Sequence, residues 1–127
     1  MKLLHKIWIV AIGLPLVLSE CSKPKEISCS GTMSFKKDII PIITTHCAIS
    51  GCHTGPTPEA NLNMDSANAY HNLISKGYVI AGKSNYSIMY NQMLGTGGVP
   101  IMPPTGQLDH SLTDKVYCWI NEGALDN

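Results

Sequence analysis

Five cysteines, an odd number, fall at positions 21, 29, 47, 52 and 118 of a 127-residue chain. In a chain this short each sulfur constrains the fold, because a bridge ties distant stretches and a ligand pair fixes a tight loop. Large apolar bulk is otherwise scarce, with 1 Phe and 2 Trp. The length fits one domain, and so few aromatics predict a core short of bulk. What fills that core, and what each cysteine does, are the questions the chain poses. Its charge poses none: 9 lysines and no arginine face 9 acidic residues, for a formal net charge of zero. Nucleic acid is therefore not expected as a partner, since counterion release needs clustered positive charge.

Residues 1–20 read as an export signal. Lys2, His5 and Lys6 form a positive start, and Ile7 to Leu18 is almost wholly apolar. That run is too short for a comfortable span and suits a signal segment. It stops at Leu18-Ser19-Glu20-Cys21, which resembles a bacterial lipoprotein signal, although Glu20 stands where a small residue is usual. The resemblance implies lipidation of Cys21, with the soluble part held at the extracytoplasmic or periplasmic face of a bacterial membrane. Ordinary secretion and an uncleaved anchor are the other readings. Either processed form faces an oxidising compartment, where disulfides persist. Residues 21–33 are rich in Ser, Lys, Pro and Glu and read as a flexible tether. The folded domain is expected over residues 34–127.

The pattern within that domain is all-helical, with about four short helices and long irregular connections. Ser34 is placed to cap a helix striped by Phe35, Ile39, Ile42 and Ile43, with Asp38 near its positive end. Pro41 either kinks it or begins a second turn. Cys47 to Asn63 carries Gly51, Gly55, Pro56 and Pro58 and reads as loop. Ser66 to Ser75 predicts a short helix burying Ala69 and Leu73, stopped by Gly77. Ser84 is expected to cap a third helix, with Tyr86, Met89, Tyr90 and Met93 at helical spacing. The last helix is the clearest. Ser111-Leu-Thr-Asp114 reads as a capping box, Leu112, Val116, Trp119 and Ile120 form the stripe, and Gly123 closes it.

Most of the chemical information lies in His46-Cys47-Ala-Ile-Ser-Gly51-Cys52-His53. The common covalent haem motif is C-x-x-C-H, in which two thiols add to the porphyrin vinyls and the histidine binds iron. Here the spacing is C-x4-C-H, and Gly51 lets the longer loop bulge. On the residues alone, three readings stand: haem attachment, a surface disulfide between Cys47 and Cys52, or part of a Cys/His metal site. A methionine sulfur often supplies the second axial ligand of such a haem. Met102 is the favoured candidate, because Val99-Pro-Ile-Met102-Pro103-Pro104 is stiffened by proline. Met89 and Met93 are expected in the core and Met64 ranks low. His46, His71 and His110 are read as polar surface, with His71 the better rival ligand. Tyr78, Tyr86 and Tyr90 are candidates for a pocket lining.

The order of motifs resembles the small class I-like cytochrome c domains of bacterial periplasmic and surface lipoproteins. The stretches that carry it begin with Phe35-Lys-Lys-Asp38-Ile39-Ile-Pro41-Ile42, Cys47, Cys52, His53 and Asn61-Leu62-Asn-Met64. They continue through Gly82-Lys-Ser84, Met102-Pro-Pro, Leu108, Ser111 and Trp119-Ile120-Asn-Glu-Gly123-Ala124. The resemblance implies one haem c, covalent through Cys47 and Cys52, with iron held by His53 and Met102 and with Trp119 packed beside the ring. It implies one-electron transfer rather than enzymatic turnover. Its partners would be a redox donor and acceptor, the membrane through the lipid anchor, and a larger respiratory or photosynthetic complex. The haem would also supply the bulk the core lacks. Because the terminal helices of that family pack together, the resemblance further implies a bridge between Cys29 and Cys118, which leaves Cys21 for the lipid. Two alternatives remain: a small peroxidase-like haem enzyme, and a cofactor-free, disulfide-stapled structural lipoprotein.

Overall fold

The structure, a computed structural model, describes residues 26–127. The expected signal segment, the lipidation at Cys21 and the first part of the tether lie outside the described residues. Among those described, every regular element is helical and no strand is present. The α-helices are α1 (Ile40–His46), α2 (Ala69–Ser75), α3 (Ile88–Leu94) and α4 (His110–Asn121). Only α4 exceeds two turns, so packing rather than helix propensity holds the others in place.

Local chemistry explains where each helix begins. Ser34 Oγ accepts from the Lys37 N–H at 3.2 Å, and Asp38 Oδ2 accepts from the Ser34 N–H at 2.9 Å. This reciprocal pair satisfies two donors that a helix start leaves open. The chain first makes a wide π-type turn over Phe35–Ile39 and then tightens into α1. Pro41 thereby falls in the first turn of α1, where no N–H is required. The expected choice between kink and fresh start resolves as a fresh start.

Two expected caps are displaced. Asp109, not Ser111, caps α4, its carboxylate accepting from the Ser111 N–H at 2.7 Å. That bond holds the Asp109 carboxyl below the usual carboxylate range. The Ser111–Asp114 box therefore does not form, because both residues already lie inside the helix. Ser84 opens a single 3-10 turn (Ser84–Tyr86), and the chain is extended at Ser87 before α3 starts. Ser87 is fully buried: its hydroxyl accepts from the Ile80 N–H at 2.9 Å and donates to the Lys83 carbonyl at 3.0 Å. The break rotates Tyr86 out of the expected stripe, leaving it 75% exposed, while Met89, Tyr90 and Met93 go inside.

The core answers the first question of the sequence. Phe35, Ile39, Ile42 and Ile43 meet Leu62, Met64, Leu73, Val79, Met89, Met93, Val116, Trp119 and Ile120 in one cluster. Trp119 is its largest fully buried side chain, packed on Phe35 at 5.1 Å between ring centroids. Its indole N–H donates to the Leu125 carbonyl at 3.0 Å, as a buried indole requires. Tyr70 meets Phe35 edge-on and donates to the Ala124 carbonyl. Aliphatic and sulfur side chains thus supply what aromatics do not. The expectation that a bound group must complete the core is corrected.

One seam joins the start and finish of the described chain. Cys29 and Cys118 form a disulfide with Cα atoms 5.4 Å apart, across a sequence separation of 89. Beside it, Met33 N–H donates to Glu122 Oε2 at 2.7 Å. Phe35 N–H donates to Asn127 Oδ1 at 2.8 Å, and Lys36 N–H to the Asn127 carbonyl at 3.0 Å. Gly82 N–H donates to the Ile120 carbonyl at 2.7 Å, tying the middle of the chain to α4 as well.

Candidate functional site

The loop after α1 is shaped by its own backbone. Cys47 and Ala48 both donate to the Ile43 carbonyl at 2.8 Å, closing the helix. Cys52 N–H then returns to the Ile49 carbonyl at 2.9 Å, and His53 N–H to the Cys47 carbonyl at 3.2 Å. Gly51 makes the reversal at φ +81, a conformation that suits glycine. Further on, Glu59 N–H reaches the Cys52 carbonyl and Met64 N–H the His53 carbonyl. The Thr54 hydroxyl bonds Asp65, and Asn72 donates to the Asn63 carbonyl at 2.8 Å. A stretch rich in turn formers is therefore an ordered Ω-like loop rather than a slack one.

This loop makes one wall of a cavity of about 590 Å³. Thr45, His46, Cys47, Ile49, Cys52 and His53 come from the end of α1 and the loop, and Glu59 and Ala60 from the turn beyond. Tyr78 and Gln92 contribute from either side of the Ser84 turn. Met102, Pro103, Pro104 and Thr105 close the far side. Met102 is held there by its N–H, which donates to the Gln92 carbonyl at 2.9 Å. The structure thus brings Cys47, Cys52, His53 and Met102 to one pocket. None of the lining residues is fully buried, so the pocket lies outside the core. Met64, Met89 and Met93 belong to the core instead. Tyr86 lies on the surface, and Tyr90 packs on Tyr117 at 5.5 Å, away from this cavity. Trp119, expected beside a ring in the pocket, lies against Phe35. Gln92 and Ile49 are lining residues that the sequence reading did not single out.

The chemistry of the wall follows from its contacts. Cys47 and Cys52 are both free thiols, partly buried. Burial, with a smaller contribution from the neighbouring Cys52, pushes the Cys47 thiol up to about 11. Cys47 is accordingly neutral across the physiological range and a poor nucleophile and metal ligand there. His53 Nδ1 lies 3.1 Å from the Glu59 carbonyl. A carbonyl only accepts, so this contact selects the tautomer of the neutral ring with the proton on Nδ1.

The expected iron centre is corrected at this point. Among the described residues no group of three or more His, Cys, Asp or Glu side chains is gathered so as to hold a metal ion. The reading of haem c on Cys47 and Cys52, with His53 and Met102 as metal ligands, is set aside on that finding. With it go the cytochrome c resemblance, the electron-transfer role, the peroxidase-like alternative, the redox donor and acceptor, and the place in a respiratory or photosynthetic complex. The expected membrane contact through a lipid at Cys21 falls outside the described residues. Among those residues no helix is long and apolar enough to cross a membrane. No protein-family model, curated protein or solved structure matches the chain.

His71 and His110 lie away from this pocket. His71 is exposed on α2. His110 is exposed at the start of α4, where it borders a second cavity of about 300 Å³ with Ile27, Tyr90 and Leu94.

Proposed function

We propose that this chain is a structural module of an extracytoplasmic lipoprotein, a small helical scaffold stapled by one long-range disulfide and working without a cofactor. The observation that carries the reading is the Cys29–Cys118 bridge, which closes nearly the whole folded chain on itself. A bridge of that reach belongs to chains that mature in an oxidising compartment. The apolar leader and Cys21 support the same location, with the lipid at Cys21 as the anchor. In this reading the role is non-enzymatic. Cys47, Cys52, His53 and Met102 are then walls of a preformed cleft rather than catalytic groups. The size of that cleft favours one further element, occupancy by a small apolar molecule.

The test is the intact mass and absorption spectrum of the protein purified from the compartment to which it is exported. The structural reading expects the mass of the lipid-modified polypeptide with its Cys29–Cys118 bridge, Cys47 and Cys52 open to alkylation after treatment with excess reduced glutathione, and no absorption beyond the aromatic bands. A covalent adduct on the peptide spanning residues 47–53, or a visible absorption band that travels with it, overturns the reading.

A further inference from the structure

Cys47 and Cys52 carry a property that the structural role does not use. Both are free, both are partly buried, and both face the same pocket. The His53 N–H bond to the Cys47 carbonyl, at 3.2 Å, crosses the loop between them. With ordinary backbone dimensions that bond confines the two Cα atoms to within about 8 Å of each other. A disulfide needs them under about 7 Å. The remaining approach falls on Gly51, whose positive φ leaves nothing within 4 Å of where a side chain would begin. The charge of one thiol is also felt at the other, as the raised Cys47 value records.

We propose that Cys47 and Cys52 form a reversible dithiol–disulfide pair that is closed by low-molecular-weight disulfides and reshapes the mouth of the pocket. The proposal rests on the cofactor-free reading, which leaves both sulfurs available. Cys47 is held protonated, so Cys52 makes the first attack. Its thiolate displaces one thiolate from the small disulfide and forms a mixed disulfide. Cys47 then loses its proton to solvent and attacks the Cys52 sulfur, displacing the second small thiolate. One intramolecular S–S bond is made and one small-molecule S–S bond is broken. The protein gives up two protons and two electrons, and two small thiols are formed. The bond draws Cys47 and Cys52 together across one wall, while Met102 and Tyr78 on the others keep their backbone anchors. The Cys29–Cys118 bridge is a separate element, since Cys118 is buried in the last helix.

The full chain, with its mass recorded first, is equilibrated with mixtures of reduced and oxidised glutathione, quenched in acid, alkylated and mapped by peptide mass spectrometry. The expected result is loss of both alkylation sites together, a mass decrease of about two units on the 47–52 segment, and full reversal by excess reduced glutathione. In Cys47→Ser the same treatment leaves a stable glutathione adduct on Cys52. Circular dichroism of that variant confirms that it folds. Glutathione adducts accumulating on the two cysteines of the native chain, without closure, overturn the proposal. No reaction at either cysteine overturns it equally. An adduct already present in the starting mass marks failure of the cofactor-free reading instead, and is seen before any oxidant is added.

Discussion

Removing the Cys29–Cys118 bridge tests the covalent tie between the two ends of the described chain. The perturbation is the double variant Cys29→Ala/Cys118→Ala, compared with native protein and with native protein in a phosphine reductant. The bridge spans a sequence separation of 89. For a loop of that length the chain-entropy treatment gives about 4–5 kcal/mol, drawn from the unfolded chain. The neighbouring bonds from Met33, Phe35 and Lys36 to Glu122 and Asn127 do not reduce this figure, because they vanish on unfolding and leave the denatured chain open. A second contribution comes from the native side. Cys118 is 4% exposed, so an alanine there leaves a small void. Urea unfolding followed by helix circular dichroism is expected to show a loss of at least about 4–5 kcal/mol. The thermal midpoint should fall by roughly 20 °C or more, at about 4–8 °C per kcal/mol for a domain this size. A loss under about 1 kcal/mol, with the urea slope unchanged, refutes the reasoning. It would mean that the unfolded chain already holds these two stretches together.

Three further outcomes are expected. Trp119→Ala should cost about 3–5 kcal/mol in the same urea assay, since the ring is fully buried against Phe35 and its N–H is paired. For Cys47 the thiol is neutral in the fold up to about 11, against 9.0 for a free thiol. Between those values the unfolded chain binds fewer protons than the folded one, so stability should fall as pH rises from 9 and level off near 11. Urea midpoints across that range, with Cys47→Ser as the control that flattens the slope, check this. Asp109→Ala should destabilise the start of α4 and speed amide exchange in its first turn. Because the folded carboxyl is held low, the cap's contribution should be complete above the ordinary carboxylate range and lost as pH falls through the depressed value.

Helix stripes and stops were legible in the sequence because they are repeated signals. The Phe35–Ile43 and Val116–Ile120 stripes bury as their spacing requires, and Gly77 and Gly123 adopt the positive φ of helix ends. Caps were less legible because a single residue decides them. Asp109 and Ser111 are both good capping residues, and only the entry angle of the chain selects the first. Tyr86 was misplaced because a helical period does not announce that Ser87 turns its hydroxyl inward and breaks the helix. The Cys29–Cys118 pairing was what the cytochrome c resemblance implied, from the packed terminal helices of that family; the structure forms the bridge and ties the same ends by separate hydrogen bonds. The assignment at Cys47, Cys52, His53 and Met102 was a different kind of inference. Spacing grouped Cys47, Cys52 and His53, the proline-stiffened loop and the family resemblance added Met102, and the four do share a pocket. Sharing a pocket is a weaker condition than gathering as a metal site, and among the described residues no three His, Cys, Asp or Glu side chains are so gathered.

The molecule also separates what holds it together from what it exposes. Every residue of the buried cluster lies outside the pocket lining, and the only overlap is at its margin, where Cys47 and Tyr78 touch both. The pocket walls are instead held by backbone bonds between loops: His53 to Cys47, Glu59 to Cys52, Met64 to His53 and Met102 to Gln92. Loops tied mainly by partly exposed backbone bonds open at lower free energy than a buried core. A bond formed or broken between Cys47 and Cys52 therefore acts on a loop wall, and it meets the buried cluster only where Cys47 packs at its margin. The Cys29–Cys118 bridge acts on the core side, where it constrains the whole chain. The two pairs of sulfurs differ accordingly in kind: one constrains the whole described chain, and the other lies in the wall of the pocket that its proposed closure would reshape.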